Sequence, residues 1–506
     1  MFSNVRADAA TILAFLFAVP MAMVLFAGTP WGLGLSPDSV SYAAAARALA
    51  ENHDLMRLPS HWPPMLPIML AGLYTLIGDF TLSARMLQMA FLVLNVLLLY
   101  RLLCLSGQPK ALTILLLILI VLQPDFIRVH LILWSEPAFL SLVLLDLLLL
   151  STLVREDAAR SWSFALAVTA GLAIMVRYAG LFLMLLNGAV LLIAGRPGKR
   201  FKERLTQATW LSLVTIFPLA AWSVFERVSR GHASDREIVW HPLGHEHMMQ
   251  GINTLAHWFH LPGRFGWIVL VIIPLTALWL LIPWRARDWA TNQGIATVLA
   301  AYVLIYPAFL FLSISLVDYH TPLDSRILVP MLPVTIGMFA YLTREAKHRL
   351  APLGVLAAII LGLTLNLPES YQLWRASRLN GLGFANRQIQ TLPIMSALRQ
   401  MPPDWKVATN GPEFFQLYLR PRPESIPAKL NPGNQQPNPA FRKQIGLMKQ
   451  ADDAIVYFAA MRYRYYLPGV EELNRVPGFR LVYAREDGAI WVRDRSTGSP
   501  AALRSQ

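Results

Sequence analysis

The chain has 506 residues, 55% of them hydrophobic and only 15% charged, with a mean hydropathy of +0.46. A soluble protein carries about 25% charged residues, so this composition excludes an ordinary soluble protein and points to a mainly α, polytopic membrane protein. The formal charge of +14 does not indicate nucleic acid: the basic residues fall in short loops between apolar runs, and no basic face is interleaved with aromatics. The single cysteine, Cys104, excludes an internal disulfide and a thiolate metal cluster.

In chain order, the first apolar run predicts a spanning helix over roughly residues 9–27, too long for the h-region of a signal peptide. Residues 28–62 form a loop with short helices that contains Ser36-Pro37-Asp38-Ser39-Val40-Ser41-Tyr42. Then His61-Trp62-Pro63-Pro64 leads into an apolar stretch ending at Ile77. At about 15 residues it is short for a crossing and is expected at the interface. Further spans are expected over residues 82–103, 111–123, 134–153, 162–177, 180–194, 207–225, 267–284, 295–316, 327–342 and 351–367.

Loop charge sets the orientation. With residues 64–78 at the interface, the most basic loop, Gly195 to Arg204, falls on the cytoplasmic side, as do Arg285 and Arg287 and the group Arg344, Lys347 and Arg349. A crossing by 64–78 would turn all of these outward. The expectation is about eleven spans, with the N-terminus inside and the C-terminus outside. On that topology ten of the eleven histidines, and Asp38, Asp125, Glu136, Asp318 and Asp324, lie at the outer face. Titratable groups gathered at one membrane surface suggest a site there.

From about residue 368 the spanning runs stop and Pro, Asn, Arg and Gln become denser. A helix is expected over Ile389–Met401, strands over Trp405–Thr409 and Ala454–Phe458, and a hairpin turning at Glu486-Asp487-Gly488; residues 421–440 read as a long loop. The chain thus divides into a membrane part, 1–367, whose first outer loop is 28–81, and a small extracytoplasmic α/β domain, 368–506.

Four places carry candidate chemistry. Asp38 is an acid/base or acceptor-orienting carboxylate, and equally the cap of the helix that Pro37-Asp38-Ser39 announces. Glu136, in Trp134-Ser135-Glu136-Pro137, suits a first helical turn electrostatically, yet stands among strongly apolar neighbours. Arg177, followed by Tyr178, is an arginine in an apolar hairpin at the outer face; a lipid phosphate or Glu136 would satisfy it, and the alternative is a snorkelling side chain. Arg326 is a second candidate phosphate ligand, or the partner of Asp324 or Asp318. The histidines at 241, 245, 247, 257 and 260 match no standard zinc spacing, so a wet, mobile loop is expected there, able to close over a substrate. No cofactor is indicated, and a divalent metal is left open.

Pro37-Asp38-Ser39-x-x-Tyr42, His61-Trp62-Pro63-Pro64, Ser135-Glu136-Pro137, Arg177-Tyr178-Ala179-Gly180-Leu181 and Asp324-x-Arg326-x3-Pro330, in this order and on one side, resemble the GT-C class of integral membrane glycosyltransferases. Within it they look like the bacterial family-39-like group, related to protein O-mannosyltransferases and aminoarabinose transferases. The resemblance covers roughly residues 8–365. It implies transfer of a sugar from a polyprenyl-phosphate donor to an extracytoplasmic acceptor, with inversion and no covalent enzyme intermediate, in a bacterial cell membrane. It implies that Asp38 is the acidic residue of the first outer loop, with Glu136 as the second acid of the site. Arg177 and Arg326 would bind the phosphate, and Tyr42, His61, Tyr178 and Asp324 would line the substrate. Protein O-mannosyltransferases commonly carry adjacent Asp-Glu in that loop; Ser39 stands here instead, which leaves lipid, glycan or polymer acceptors open. The competing readings are a transporter or flippase of a lipid-linked glycan, which calls for inverted repeats and mid-membrane charges, and a scaffold, which needs neither Asp38 nor Arg177.

Overall fold

The computed structural model describes residues 9–59, 62–155, 160–193, 200–231, 238–282, 293–319, 321–345, 351–419, 422–431 and 435–494. The chain forms two compact units. The first, which ends at Leu382, is helical. The second holds the chain from Gly383 onward with two short pieces of earlier loops.

Among the described residues of the first unit, six helices are long and apolar enough to cross a membrane: Phe80–Leu105, Glu136–Val154, Phe201–Arg230, Gly263–Leu281, Gly294–Leu316 and Pro352–Asn380. A seventh results if Lys110–Val121 and Pro124–Leu131, bent by 57°, make one broken span. Four apolar helices are shorter, Thr11–Ala27, Met65–Ile77, Ser161–Val176 and Tyr178–Ile193, so length and composition alone do not reach the eleven spans expected. The bend has a local cause. Pro124 cannot donate to the preceding turn, and Gln123 caps the next helix, its side chain accepting from the amides of Asp125 (2.7 Å) and Phe126 (3.1 Å).

Burial ranks the long helices. In Glu136–Val154, 78% of the spanning window is buried, against 17% in Phe201–Arg230; the first is the centre of the bundle and the second its rim. Rim residues such as Leu213 and Phe217 are exposed, as side chains facing lipid are. Polar groups inside this core are cross-braced. His130 is fully buried between the Asn95 amide (3.2 Å) and the Phe126 carbonyl (2.7 Å), and Asn95 also donates to Pro137 O (3.0 Å). His130 is therefore a strut between helices and not a group presented at the outer surface.

The loop between Arg230 and Gly263, expected to be mobile, contains a helix of 14 residues, His245–Trp258. Its apolar face is what the loop reading overlooked: Gly251, Leu255, Ala256 and Trp258 are buried, and His247 with them. Among the described residues no three His, Cys, Asp or Glu side chains converge as metal ligands.

The second unit holds a five-stranded sheet: β1 (Lys406–Thr409), β2 (Arg422–Ser425), β3 (Ala454–Phe458), β4 (Phe479–Arg485) and β5 (Gly488–Arg493), in the order β2-β1-β3-β5-β4. The first three are parallel, and β4 and β5 close the sheet as an antiparallel hairpin. Two elements depart from the sequence expectation. β2 lies inside the stretch expected to be a loop, because Pro423 tolerates an edge strand. The helix Phe441–Ala451 was not anticipated, since its apolar positions Phe441, Ile445 and Met448 are diluted by Arg, Lys and Gln.

Candidate active site

Four charged side chains from distant parts of the first unit meet in one cluster. Glu136 opens its helix and is 1% exposed. Its Oε1 accepts from Arg177 Nη1 (2.5 Å) and from Arg326 Nε (2.5 Å). Arg326 Nη2 reaches on to Asp38 Oδ2 at 2.7 Å. Arg326 is thus shared by two carboxylates, and Glu136 by two guanidiniums. Such charge-assisted bonds are short and roughly twice as strong as neutral ones. The side chains of Asp38, Arg177 and Arg326 keep 22%, 18% and 19% of their exposure, so the cluster is open on one side while Glu136 closes its floor.

Each residue is placed by local sequence. The helix carrying Asp38 runs Pro37–Asn52 and is capped by Ser36, whose hydroxyl accepts from Ser39 N while Ser39 Oγ accepts from Ser36 N at 3.0 Å. The expectation of Asp38 as cap is corrected: a serine pair makes the capping box, and the carboxylate, one residue into the helix, points elsewhere. Ser36 Oγ also accepts from the indole of Trp134 at 2.9 Å. Beside it, Gly34 forms a parallel bridge with Ile132, through Gly34 N to Leu131 O (2.8 Å) and Leu133 N to Gly34 O (2.9 Å). A Cβ at Gly34 would lie 2.9 Å from Ile132 Cγ1, so only glycine permits this approach. These contacts deliver Asp38 to the start of the Glu136 helix across almost a hundred residues of sequence.

Arg177 stands at the break between the Arg160–Val176 and Leu181–Ile193 helices. It donates also to Ser135 Oγ at 3.0 Å. Of the two partners expected for it, the structure supplies Glu136. The break is tight: Gly180 N donates to Arg177 O at 2.8 Å, and a Cβ on Gly180 would sit 2.5 Å from Ile174 N.

Arg326 lies in a four-residue helix, Ser325–Leu328. Pairing with Asp324 is corrected by the contacts above. Asp324 is instead the cap of this helix, its carboxylate accepting from the amides of Arg326 (3.1 Å) and Ile327 (3.3 Å). Burial pushes the Asp324 carboxyl up, against the pull of those amides. Burial also works against the charge on Arg326, but Glu136 and Asp38 outweigh it and raise the guanidinium further. The Arg326 guanidinium lies 4.6 Å over the Trp134 ring.

Tyr42 is buried one turn after Asp38, its ring 5.8 Å from that of Trp62. Burial raises its phenol, and the nearby Asp38 carboxylate adds to this, so it stays protonated as a donor. Tyr178 is half-buried at the start of the turn that follows Arg177. His61 lies outside the described residues. Trp134, Ser135 and Ser36 join the site without having been singled out for it, although they flank the acids that were. Asp125 is drawn away from the cluster: it is buried and accepts from the Trp258 indole (3.0 Å) and from Arg128 (3.2 Å). One mid-helix carboxyl escaped the sequence reading altogether. Asp146, fully buried, accepts from Asn187 Nδ2 at 3.1 Å.

Residues 61–222 match the family described as dolichyl-phosphate-mannose-protein mannosyltransferase. No curated protein matches the chain. Among solved structures, the fold is similar to ArnT from Cupriavidus metallidurans bound to undecaprenyl phosphate, with TM-score 0.57 and 14% identity over 97% of this chain and 100% of that one. The apo form of that protein gives 0.59, with 14% identity over 98% and 100%. The archaeal oligosaccharyltransferase AglB from Archaeoglobus fulgidus, in complex with an inhibitory peptide and a dolichol-phosphate, gives 0.52, with 12% identity over 97% and 75%. The matched segment and the similar fold both agree with the resemblance to GT-C glycosyltransferases read from the motifs, and the chain is a helical integral membrane protein.

Proposed function

We propose that the protein transfers a sugar from a polyprenyl-phosphate carrier to an acceptor outside the cytoplasm, at the cluster of Asp38, Glu136, Arg177 and Arg326. The observation that carries this reading is the pairing of two guanidiniums with two carboxylates at helix ends, open on one side. In this mechanism the phosphate of the donor takes Arg177 and Arg326 as ligands, and their charge stabilises the departing polyprenyl phosphate without a proton donor. Asp38, released from Arg326, orients the acceptor and, for a hydroxyl, removes its proton as the anomeric carbon is attacked with inversion. Glu136 holds both guanidiniums in register. Tyr42 offers a hydroxyl donor, Asp324 fixes the backbone of Arg326, and Tyr178 lines the substrate surface.

The same reading includes eleven spans with the N-terminus in the cytoplasm of a bacterial cell, and a soluble outer domain from about residue 368. The carrier named with ArnT, undecaprenyl phosphate, and the dolichol-phosphate named with AglB support the donor class. The missing Asp-Glu pair at Asp38-Ser39 favours a lipid, glycan or envelope polymer as acceptor over a protein. A flippase would use charges in mid-membrane; Asp146 is such a carboxyl, but its partner is an amide, whereas the four paired charges gather at helix ends. The test is transfer from radiolabelled polyprenyl-phosphate sugars to cell-envelope acceptors by purified protein. Wild type is expected to transfer and Asp38→Asn to lose at least a hundredfold; transfer that survives Asp38→Asn overturns the mechanism, and no transfer with any donor favours the flippase.

A further inference from the structure

We infer that the outer-loop helix His245–Trp258 sets the position of Arg326, with Gln250 as the positioning residue. The inference rests on the proposed use of Arg326 as a donor ligand. Arg326 must meet Asp38 and Glu136 at once, yet it projects from a helix of four residues. A helix that short has no stability of its own, so its backbone needs outside support. Downstream, the Tyr306 hydroxyl donates to Ile327 O at 2.6 Å. Upstream, Leu323 N donates to Gln250 Oε1 at 3.1 Å. Only the amide oxygen of Gln250 can accept from that backbone N–H, which fixes the orientation of the side chain. Gly251 adds close packing, since a Cβ there would lie 2.9 Å from Leu323 Cδ2.

The helix is itself tied down at its far end. The buried Trp258 indole donates to Asp125 Oδ2 at 3.0 Å, and Asp125 is held by Arg128. His257 Nε2 lies 3.4 Å from Glu369 Oε2. A fixed helix therefore passes its position through one hydrogen bond and one close contact to Leu323, then to the Asp324 cap, and so to Arg326. A helix that merely covered apolar surface would not need a polar side chain aimed at the amide next to the cap.

Two variants separate the contact from general packing. Gln250→Leu keeps the bulk and removes the acceptor; Gln250→Glu keeps an oxygen acceptor. Hydrogen–deuterium exchange on the full-length protein is expected to quicken at residues 323–327 in Gln250→Leu and to stay near wild type in Gln250→Glu. In the transfer assay, Gln250→Leu is expected to raise the KM for the polyprenyl-phosphate sugar about tenfold, the effect of a lost buried hydrogen bond, with the acceptor KM unchanged; Gln250→Glu restores it. Unchanged exchange in Gln250→Leu overturns the inference whatever the activity. Altered exchange with an unaltered donor KM overturns the link to the donor. A wild type that transfers nothing counts against the proposed function, while the exchange result still decides whether Gln250 holds this loop.

Discussion

The side chain on which the cluster depends most is Glu136, because it is the one carboxylate that both arginines share and the one most deeply buried. Burying an ion pair brings little net stability, but removing one partner leaves the other charge uncompensated, at about 3–5 kcal/mol. Glu136→Ala is therefore expected to lower the thermal midpoint of the purified protein as well as abolish transfer, whereas Asp38→Asn, at the open side of the cluster, abolishes transfer with little effect on the midpoint. Differential scanning measurements on both variants check this; equal destabilisation would mean that Asp38 is as structural as Glu136. At this scale the sequence marked the charged residues that the structure brings together. Charged groups in apolar surroundings are costly unless paired, and that cost marks Glu136, Arg177 and Arg326 in a bare sequence. It does not say who pairs with whom: Arg326 passes over its neighbour Asp324 for Asp38 and Glu136, because Asp324 is occupied in capping the helix. Asp146 stayed hidden because an isolated carboxyl in a run of leucines hardly changes the local hydropathy.

Among the elements, the turn after Arg177 is the most exacting. Gly180 lies against the backbone of Ala173 and Ile174, where a methyl group would meet main-chain atoms within 2.5–2.8 Å. Main-chain atoms cannot step aside as a flexible side chain does, so Gly180→Ala is expected to shift the turn and draw Arg177 off Glu136. The expected result is a loss of transfer on the order of a hundredfold, since small displacements of a positioned group are costly; a control at Gly188, where nothing lies within 4 Å of the added Cβ, should be silent. Element by element, the long apolar runs and the hairpin at Glu486-Asp487-Gly488 could be read directly from period and turn residues. The capping box was harder, because Ser-Pro-Asp-Ser offers three plausible caps and only the fold selects Ser36. The helix over His245–Trp258 was harder still: its polar and histidine-rich exterior looks like loop, and what makes it a helix is the surface it covers.

For the whole molecule, hydropathy identifies a helical membrane protein without difficulty, but the number of crossings rests on loop charge, which leaves no mark on side-chain packing. The single cysteine gives a direct check. Cys104 is exposed near the end of the Phe80–Leu105 helix, and the proposed topology puts it on the cytoplasmic side. A membrane-impermeant maleimide should label it in inverted vesicles and leave it unlabelled in intact cells; the opposite pattern would reverse the orientation of the entire chain. The second unit can be tested through its own pH dependence. Burial, reinforced by Glu424, raises the Asp452 carboxyl to about 6. A carboxyl raised in the folded state favours folding below its unfolded value, near 4, and that contribution disappears as the pH rises through about 6. The sheet is thus expected to be more stable at pH 5 than at pH 7.5, and Asp452→Asn should narrow the difference, as read from hydrogen exchange in β3 and β5.

The shared ion pairs carry one further consequence. Two guanidiniums and two carboxylates cancel, so the resting cluster presents no net field to draw in small anions from bulk solution. A free phosphate ion would have to break those pairs with only its own few contacts to offset the loss. If the proposed function holds, a phosphate carried on a hydrocarbon chain arrives with binding energy gained elsewhere in the membrane and can use it to part Arg326 from Asp38. On the proposed function, neutrality at rest would then be a form of selectivity, by which a site beside an aqueous pool of phosphate ignores it and answers to the lipid-borne form.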